Sequence, residues 1–166
     1  MTPKQDPVTV REVGLRDGLQ AIARTLPTAD KLAWLQGLVE AGVREVEIGS
    51  FVPPSRLPQL ADTEALVQAA RAAHPQLTVS VLVPNLKGAE RALASGAHAM
   101  LLPLSASRAH SLANLRKTPD EVVREIAAIR AARDAAGSAC RLEVGLSTAF
   151  GCTLQGRVEP DEVLRL

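Results

Sequence analysis

Four side chains whose types do chemistry together fall in two short stretches. Arg16, Asp17 and Gln20 lie in Val13-Gly14-Leu15-Arg16-Asp17-Gly18-Leu19-Gln20, and Glu47 lies in Val46-Glu47-Ile48-Gly49-Ser50-Phe51. An aspartate carboxylate is a hard oxygen donor able to hold a divalent cation. An adjacent guanidinium is suited to stabilise oxyanion charge as it develops. A glutamate among apolar residues needs a cationic partner if both faces of its sheet are dry, and Arg16 is a natural one. Each stretch also has a plainer reading. Asp17-Gly18 is by itself a turn signal, and a lone strand glutamate commonly faces solvent. Neighbouring strand residues point to opposite faces, so Arg16 and Asp17 share a site only where the backbone leaves strand geometry. Gly14 and Gly18 would allow that departure.

The elements that must position these residues repeat as strand then helix. Val8 to Val13 alternates apolar and polar residues, as a strand does. Thr28 to Ala41 has Leu32, Leu35, Leu38 and Val39 at helical spacing, with Thr28 as N-cap and Gly42 as stop. Strands are expected at Val43–Ile48, Thr78–Val83, Ala99–Leu102 and Arg141–Leu146, and helices at Asp62–Ala73, Leu86–Ser95 and Pro119–Ala136. Val52 to Pro58 holds three prolines and reads as a loop. Ser105 to Lys117 reads as a polar loop, and Glu159 to Leu166 as the start of a further helix. Such alternation implies an α/β fold with a parallel sheet and right-handed crossovers. An open doubly wound sheet and part of a (β/α)8 barrel both fit. Length alone favours the open sheet, since a whole barrel takes about 250 residues. In either architecture the active site lies at the carboxyl ends of the strands, where both stretches fall.

Composition narrows the class. The chain has 166 residues, of which 46% are hydrophobic and 22% charged, so one soluble globular domain over residues 1–166 is expected. A net charge of +1, from 19 basic and 18 acidic residues, argues against partners recruited by bulk charge, nucleic acid or membrane surface. Aromatic residues are 2% of the chain, too few for base-stacking platforms. No apolar run is long enough to span a bilayer, and Met1 to Val10 carries no apolar export signal. Cys140 and Cys152 do not make a disulfide framework, so a cytoplasmic location is expected.

Four segments in order resemble the 3-hydroxy-3-methylglutaryl-CoA lyase family: Val10 to Gln20, Glu47 to Val52, Pro84-Asn85-Leu86-Lys87-Gly88, and Phe150-Gly151-Cys152 through Gly156. That family belongs to a wider group of metal-dependent lyases and synthases built on (β/α)8 barrels and marked by Arg-Asp-Gly. The resemblance runs from about Val8 to Leu166 and shifts the expected fold to a partial (β/α)8 TIM barrel of about five parallel strands, with the C-terminal strands missing. It implies cleavage of 3-hydroxy-3-methylglutaryl-CoA to acetyl-CoA and acetoacetate, with a small-molecule acyl-CoA as partner and Mg2+ or Mn2+ as cofactor. By the same resemblance Asp17 is a metal ligand and Arg16 neutralises the enolate at the thioester carbonyl. Glu47 orients Arg16 or moves protons, and Gln20 lines the substrate pocket. The alternatives are an acyl-CoA-dependent synthase of the isopropylmalate or homocitrate type and a non-catalytic half-barrel.

The family also uses a His-x-His pair, an asparagine near the metal and a mobile cysteine loop. This chain has His74, His98 and His110, no two separated by one residue, and Cys152 matches a non-catalytic cysteine of the family. The isolated chain is therefore expected to be catalytically incomplete. His74 is expected at the surface, His98 in a structural role, and His110 in a solvated loop or near substrate. Lys87, Arg108, Arg116 and Lys117 are candidates to meet the phosphates of CoA. Sheet edges at the first and fifth strands are expected to favour self-association.

Overall fold

The central strands are hydrophobic because both of their faces are covered. In β2 (Glu45–Ser50) every residue is buried, and β3 (Thr78–Leu82) is buried at its three middle positions. The computed structural model describes residues 8–166. Met1 to Pro7, the greater part of the stretch read as lacking an export signal, lie outside the described residues. With β1 (Arg11–Glu12), β4 (Ala99–Ser105) and β5 (Arg141–Ser147), these strands form one parallel sheet in the order β1-β2-β3-β4-β5.

The crossovers are helical: α1 (Thr28–Glu40), α2 (Thr63–Ala73), α3 (Leu86–Ser95), and then α4 (Arg108–Leu115) with α5 (Pro119–Ala135). Leu35, Leu66, Val67 and Ile129 from these helices pack onto Val46, Ile48, Val79 and Met100 of the sheet. A short hairpin, β6 (Gly151–Cys152) with β7 (Gly156–Arg157), and α6 (Pro160–Arg165) follow β5.

The sheet curls into a half-barrel. Strands lie about 4.8 Å apart, so β1 and β5 would stand roughly 19 Å apart in a flat sheet. Instead Arg11 of β1 reaches Glu143 of β5 at 2.7 Å. Arg11 also pairs with Glu45 at 2.5 Å, and Arg141 reaches the same Glu45 oxygen at 3.2 Å. Four charges thus stitch the first, second and fifth strands together at the amino-terminal base of the curl.

Several expectations are corrected. The first strand covers Arg11–Glu12 rather than Val8 to Val13. Pro27, not Thr28, caps α1, and the Thr28 hydroxyl instead donates to Asp62 at 2.8 Å. The stretch Ser105 to Lys117 contains a helix, α4, capped by the Ser107 hydroxyl accepting from the amide of His110. β4 runs past Leu102 to Ser105 in spite of Pro103. Leu101 accepts from the Val83 amide on the β3 side. Pro103, two residues on, turns its nitrogen to that same side, where β3 has already ended, so no ladder bond is lost.

Candidate active site

The chain leaves strand geometry immediately after β1. The Val13 carbonyl accepts from the amides of Arg16, Asp17 and Gly18 at 3.1, 2.8 and 3.4 Å, winding Gly14–Gly18 into one wide π-type turn. Leu15 is fully buried and anchors the turn in the core, so Arg16 and Asp17 emerge together. The glycines act differently from expectation, because neither Gly14 nor Gly18 has a positive φ. A Cβ on Gly14 would stand 2.8 Å from both Glu12 Oε1 and the Trp34 ring, whereas one on Gly18 would meet nothing within 4 Å. Gly14 therefore serves close approach, and Gly18 has no such constraint.

Arg16 and Glu47 form a two-pronged ion pair. Nε donates to Oε1 at 2.6 Å and Nη2 to Oε2 at 3.2 Å. Nη1 donates to Asp17 Oδ1 at 2.7 Å. The Glu47 side chain is 2% exposed, Arg16 15% and Asp17 62%. A guanidinium has five N–H donors. Three are engaged here, and the remaining two are available to an oxyanion. Glu47 uses both oxygens on Arg16, so its evident work is to hold the guanidinium plane.

A cavity of about 660 Å³ opens beside this pair. Arg16 and Gln20 line it, together with Val52, Arg56 and Leu57 of the proline-rich loop. Asn85 and Pro103 line it near the ends of β3 and β4, and Asn114, Arg116 and Lys117 come from the carboxyl end of α4. Glu47 and Asp17 stand against Arg16 rather than on the wall. The structure thus brings Arg16, Asp17, Gln20 and Glu47 together at the carboxyl ends of the strands.

A buried lysine of α1 holds the segment that follows the proline-rich loop, and Gln59 ties that segment to the loop before α1. Lys31 Nζ donates to Asp62 Oδ1 and to the Gln59 carbonyl, both at 2.6 Å, and the Gln59 amide donates to the Ile22 carbonyl at 2.6 Å. Arg56 and Asn114 were not singled out in the sequence. A basic residue in a loop after a strand was the available signal for Arg56. Asn114 was hidden in a stretch read as loop.

The basic residues expected to meet phosphates separate. Arg116 and Lys117 line the cavity, with Lys117 also paired to Glu125. Lys87 lies in a smaller cavity of about 170 Å³ with Arg91 and Phe51, and Arg108 is exposed on the first turn of α4.

The histidines have structural partners. His74 closes α2, and His98 Nδ1 accepts from the Val79 amide at 3.0 Å. Burial, reinforced by Arg71 and Arg141, lowers the pKa of His98. His110 Nδ1 lies 2.8 Å from Ser105 Oγ, tying α4 to β4.

The donors present do not complete a divalent-metal site. Among the described residues, no three His, Cys, Asp or Glu side chains gather where they could hold an ion. Asp17 offers one exposed carboxylate, and Glu47 is fully engaged with Arg16. Mg2+ and Ca2+ sites take about six or more ligands, commonly including water, so a single carboxylate is a weak hold.

Comparison with known proteins places this geometry among relatives. The family described as HMGL-like matches residues 8–166. The hydroxymethylglutaryl-CoA lyase YngG of Bacillus subtilis is 34% identical over 166 residues, covering 99% of this chain and 54% of that protein. The 3-hydroxy-3-isohexenylglutaryl-CoA/hydroxy-methylglutaryl-CoA lyase of Pseudomonas aeruginosa is 37% identical over 94% of this chain and 51% of its own length. The solved structure of an HMG-CoA lyase from Acinetobacter baumannii, in complex with coenzyme A and 3-methylmalate, superposes with a TM-score of 0.88 at 34% identity. That match covers 99% of this chain and 53% of the other. The chain spans about half the length of the curated relatives it matches.

Proposed function

This chain belongs to the HMGL-like family, and on that premise we propose that it carries one part of an acyl-CoA carbon–carbon lyase site. The reaction proposed is cleavage of 3-hydroxy-3-methylglutaryl-CoA to acetyl-CoA and acetoacetate. The observation that carries this reading is the Arg16–Glu47 pair, with Asp17 beside it, at the mouth of a cavity large enough for part of an acyl-CoA.

The chemistry assigns a role to each residue. Breaking the C2–C3 bond sends its electrons to C2 as the thioester enolate, while the C3 hydroxyl loses its proton and becomes the ketone of acetoacetate. A proton delivered to C2 then completes acetyl-CoA, so that none is gained or lost overall. The two remaining N–H groups of Arg16 meet the enolate oxygen. A preorganised donor of this kind is worth roughly 3 to 4 kcal/mol in comparable sites. Glu47 keeps Arg16 aimed, and Gln20 lines the acyl pocket. A divalent ion, Mg2+ or Mn2+, belongs to the reading through the family resemblance. Asp17 is the ligand this chain offers, and its own donors do not complete the coordination.

The chain alone is therefore expected to bind acyl-CoA while turning it over far more slowly than a complete lyase. The test is to titrate the purified chain with 3-hydroxy-3-methylglutaryl-CoA and to assay acetoacetate in the presence of Mn2+. Saturable binding with little acetoacetate is the expected result. Absence of binding would overturn the assignment, and turnover near that of a full-length lyase would overturn the incompleteness. Release of CoA from acetyl-CoA plus an α-keto acid would favour the synthase reading instead. No described helix is long and apolar enough to cross a membrane. A cytoplasmic location and self-association through the edges of β1 and β5 complete the proposal. A monodisperse monomer in light scattering would count against the association.

A further inference from the structure

Every charged residue on the wall of the large cavity is a cation: Arg16, Arg56, Arg116 and Lys117. Arg16 is neutralised by Glu47 and Asp17, and Lys117 by Glu125. Arg56 and Arg116 have no ion pair among the described residues. They arrive from two elements, the proline-rich loop after β2 and the carboxyl end of α4, and line one cavity that no carboxylate lines. Arg116 also sits at φ +58°, a helix-ending conformation that ordinarily favours glycine. A cation there complements the helix dipole, but the left-handed backbone itself would favour glycine.

We infer that Arg56 and Arg116 form a second anion subsite of this cavity, taking a phosphate or carboxylate group of the ligand whose thioester end meets Arg16. The subsite rests on the acyl-CoA reading above for the identity of that ligand. Guanidinium groups suit this work because their fork of donors matches phosphate and carboxylate oxygens two at a time. Two guanidiniums without a carboxylate partner, lining one cavity from different elements, offer donors to a bound oxyanion. Both arginines are exposed, so the attraction is screened by salt.

The test is calorimetric titration of the wild-type chain, Arg56→Gln, Arg116→Gly and the double variant with three probes: inorganic pyrophosphate, CoA and 3-hydroxy-3-methylglutarate. Arg116→Gly removes the cation while suiting the left-handed backbone, so thermal stability is expected to hold or rise. Lost binding in that variant then reflects the charge rather than unfolding. Each single variant is expected to weaken binding about tenfold, the size of one charge-assisted hydrogen bond. The double variant is expected to lose more, and to lose the salt dependence as well. Weakening confined to pyrophosphate and CoA supports the subsite with phosphate as its anion. Weakening confined to 3-hydroxy-3-methylglutarate supports it with the acyl carboxylate. Equal affinity of the wild type and the double variant for all three probes overturns the subsite, as does a wild-type chain that binds none of them. Arginine-dependent pyrophosphate binding without any CoA binding would keep the subsite and sink the acyl-CoA reading. CoA binding indifferent to both arginines would do the reverse.

Discussion

Two Arg–Glu clusters share strand β2 and do different work. At the base, Arg11 and Arg141 satisfy Glu45 and Glu143, and the whole network is spent on closing the curl from β1 to β5. At the mouth, two residues further along β2, Glu47 holds Arg16 in a fixed plane beside an open cavity. Glu45 and Glu47 project from the same face of one strand, so residue type and orientation do not separate them. Position along the strand does. The amino-terminal end of a parallel barrel carries stability, and the carboxyl-terminal end carries function. What differs physically is setting: the base cluster shares its charges across three strands, whereas the mouth guanidinium keeps donors free beside an open cavity.

The largest test of this contrast is Arg16→Met. It leaves Glu47, at 2% exposure, as a buried charge without its cation. Chemical denaturation is expected to register a loss of roughly 3 to 5 kcal/mol, together with loss of acyl-CoA binding. The double variant Arg16→Met/Glu47→Leu is expected to recover most of the stability and none of the binding, since hydrophobic replacement of a buried pair is often neutral or better. Recovery of binding in that double variant would erase the distinction between the clusters.

Arg11→Met probes the base. These side chains are partly exposed, so the expected cost is about 2 kcal/mol, between the values for exposed and buried pairs. Ligand affinity should not change. The variant should also alter the acid limb of stability. The Arg11 hydrogen bond is the main cause of the lowered pKa of Glu143. A carboxyl whose folded pKa lies below its unfolded pKa contributes stability that is complete above the ordinary glutamate range. That contribution is lost as pH falls through the depressed folded value. In Arg11→Met this share of the acid-dependent loss should vanish, as measured by denaturation from neutral pH downward.

The strand–helix alternation was legible because the covering of both sheet faces writes itself as apolar runs. α3, with Asn85 as its cap and Gly96 as its left-handed stop, spans the residues read for it. α4 was not legible. Its sequence has no apolar stripe, and beyond the local Ser107 cap it is held by His110 against Ser105 of β4 and by the Ala109 amide donating to Gln155, contacts that exist once β4 and the segment after β5 are in place. The pairing of Arg16 with Glu47 was readable from the cost of burying a lone carboxylate. The role of Gly14 was not, because Trp34 comes from a helix whose packing angle no local pattern reveals.

That last point yields a smaller test. Gly14→Ala should cost about 1 to 3 kcal/mol by pushing on Trp34 and Glu12 and should loosen the π turn. Gly18→Ala should be neutral or stabilising by less than about 1 kcal/mol, because its Cβ has open space. Equal effects, read by thermal melting, would show that the turn does not depend on close approach.

The two cysteines give the gentlest version of the base-and-mouth contrast. Cys140 precedes β5 at the base, and burial pushes its thiol pKa up. Cys152 follows β5 on the mouth side, and hydrogen bonds from Ser107 and nearby backbone amides draw its pKa down. Iodoacetamide at neutral pH is expected to alkylate Cys152 first, as followed by peptide mass spectrometry. Faster labelling of Cys140 would contradict the assigned environments.

The most direct test compares acyl-CoA affinity across the two clusters. The wild-type chain, Arg11→Met and Arg16→Met/Glu47→Leu are titrated with 3-hydroxy-3-methylglutaryl-CoA at a temperature where circular dichroism shows all three folded. Binding that survives in Arg11→Met and disappears in the mouth variant is the predicted result. Equal binding by all three proteins would contradict the placement of the functional site at Arg16.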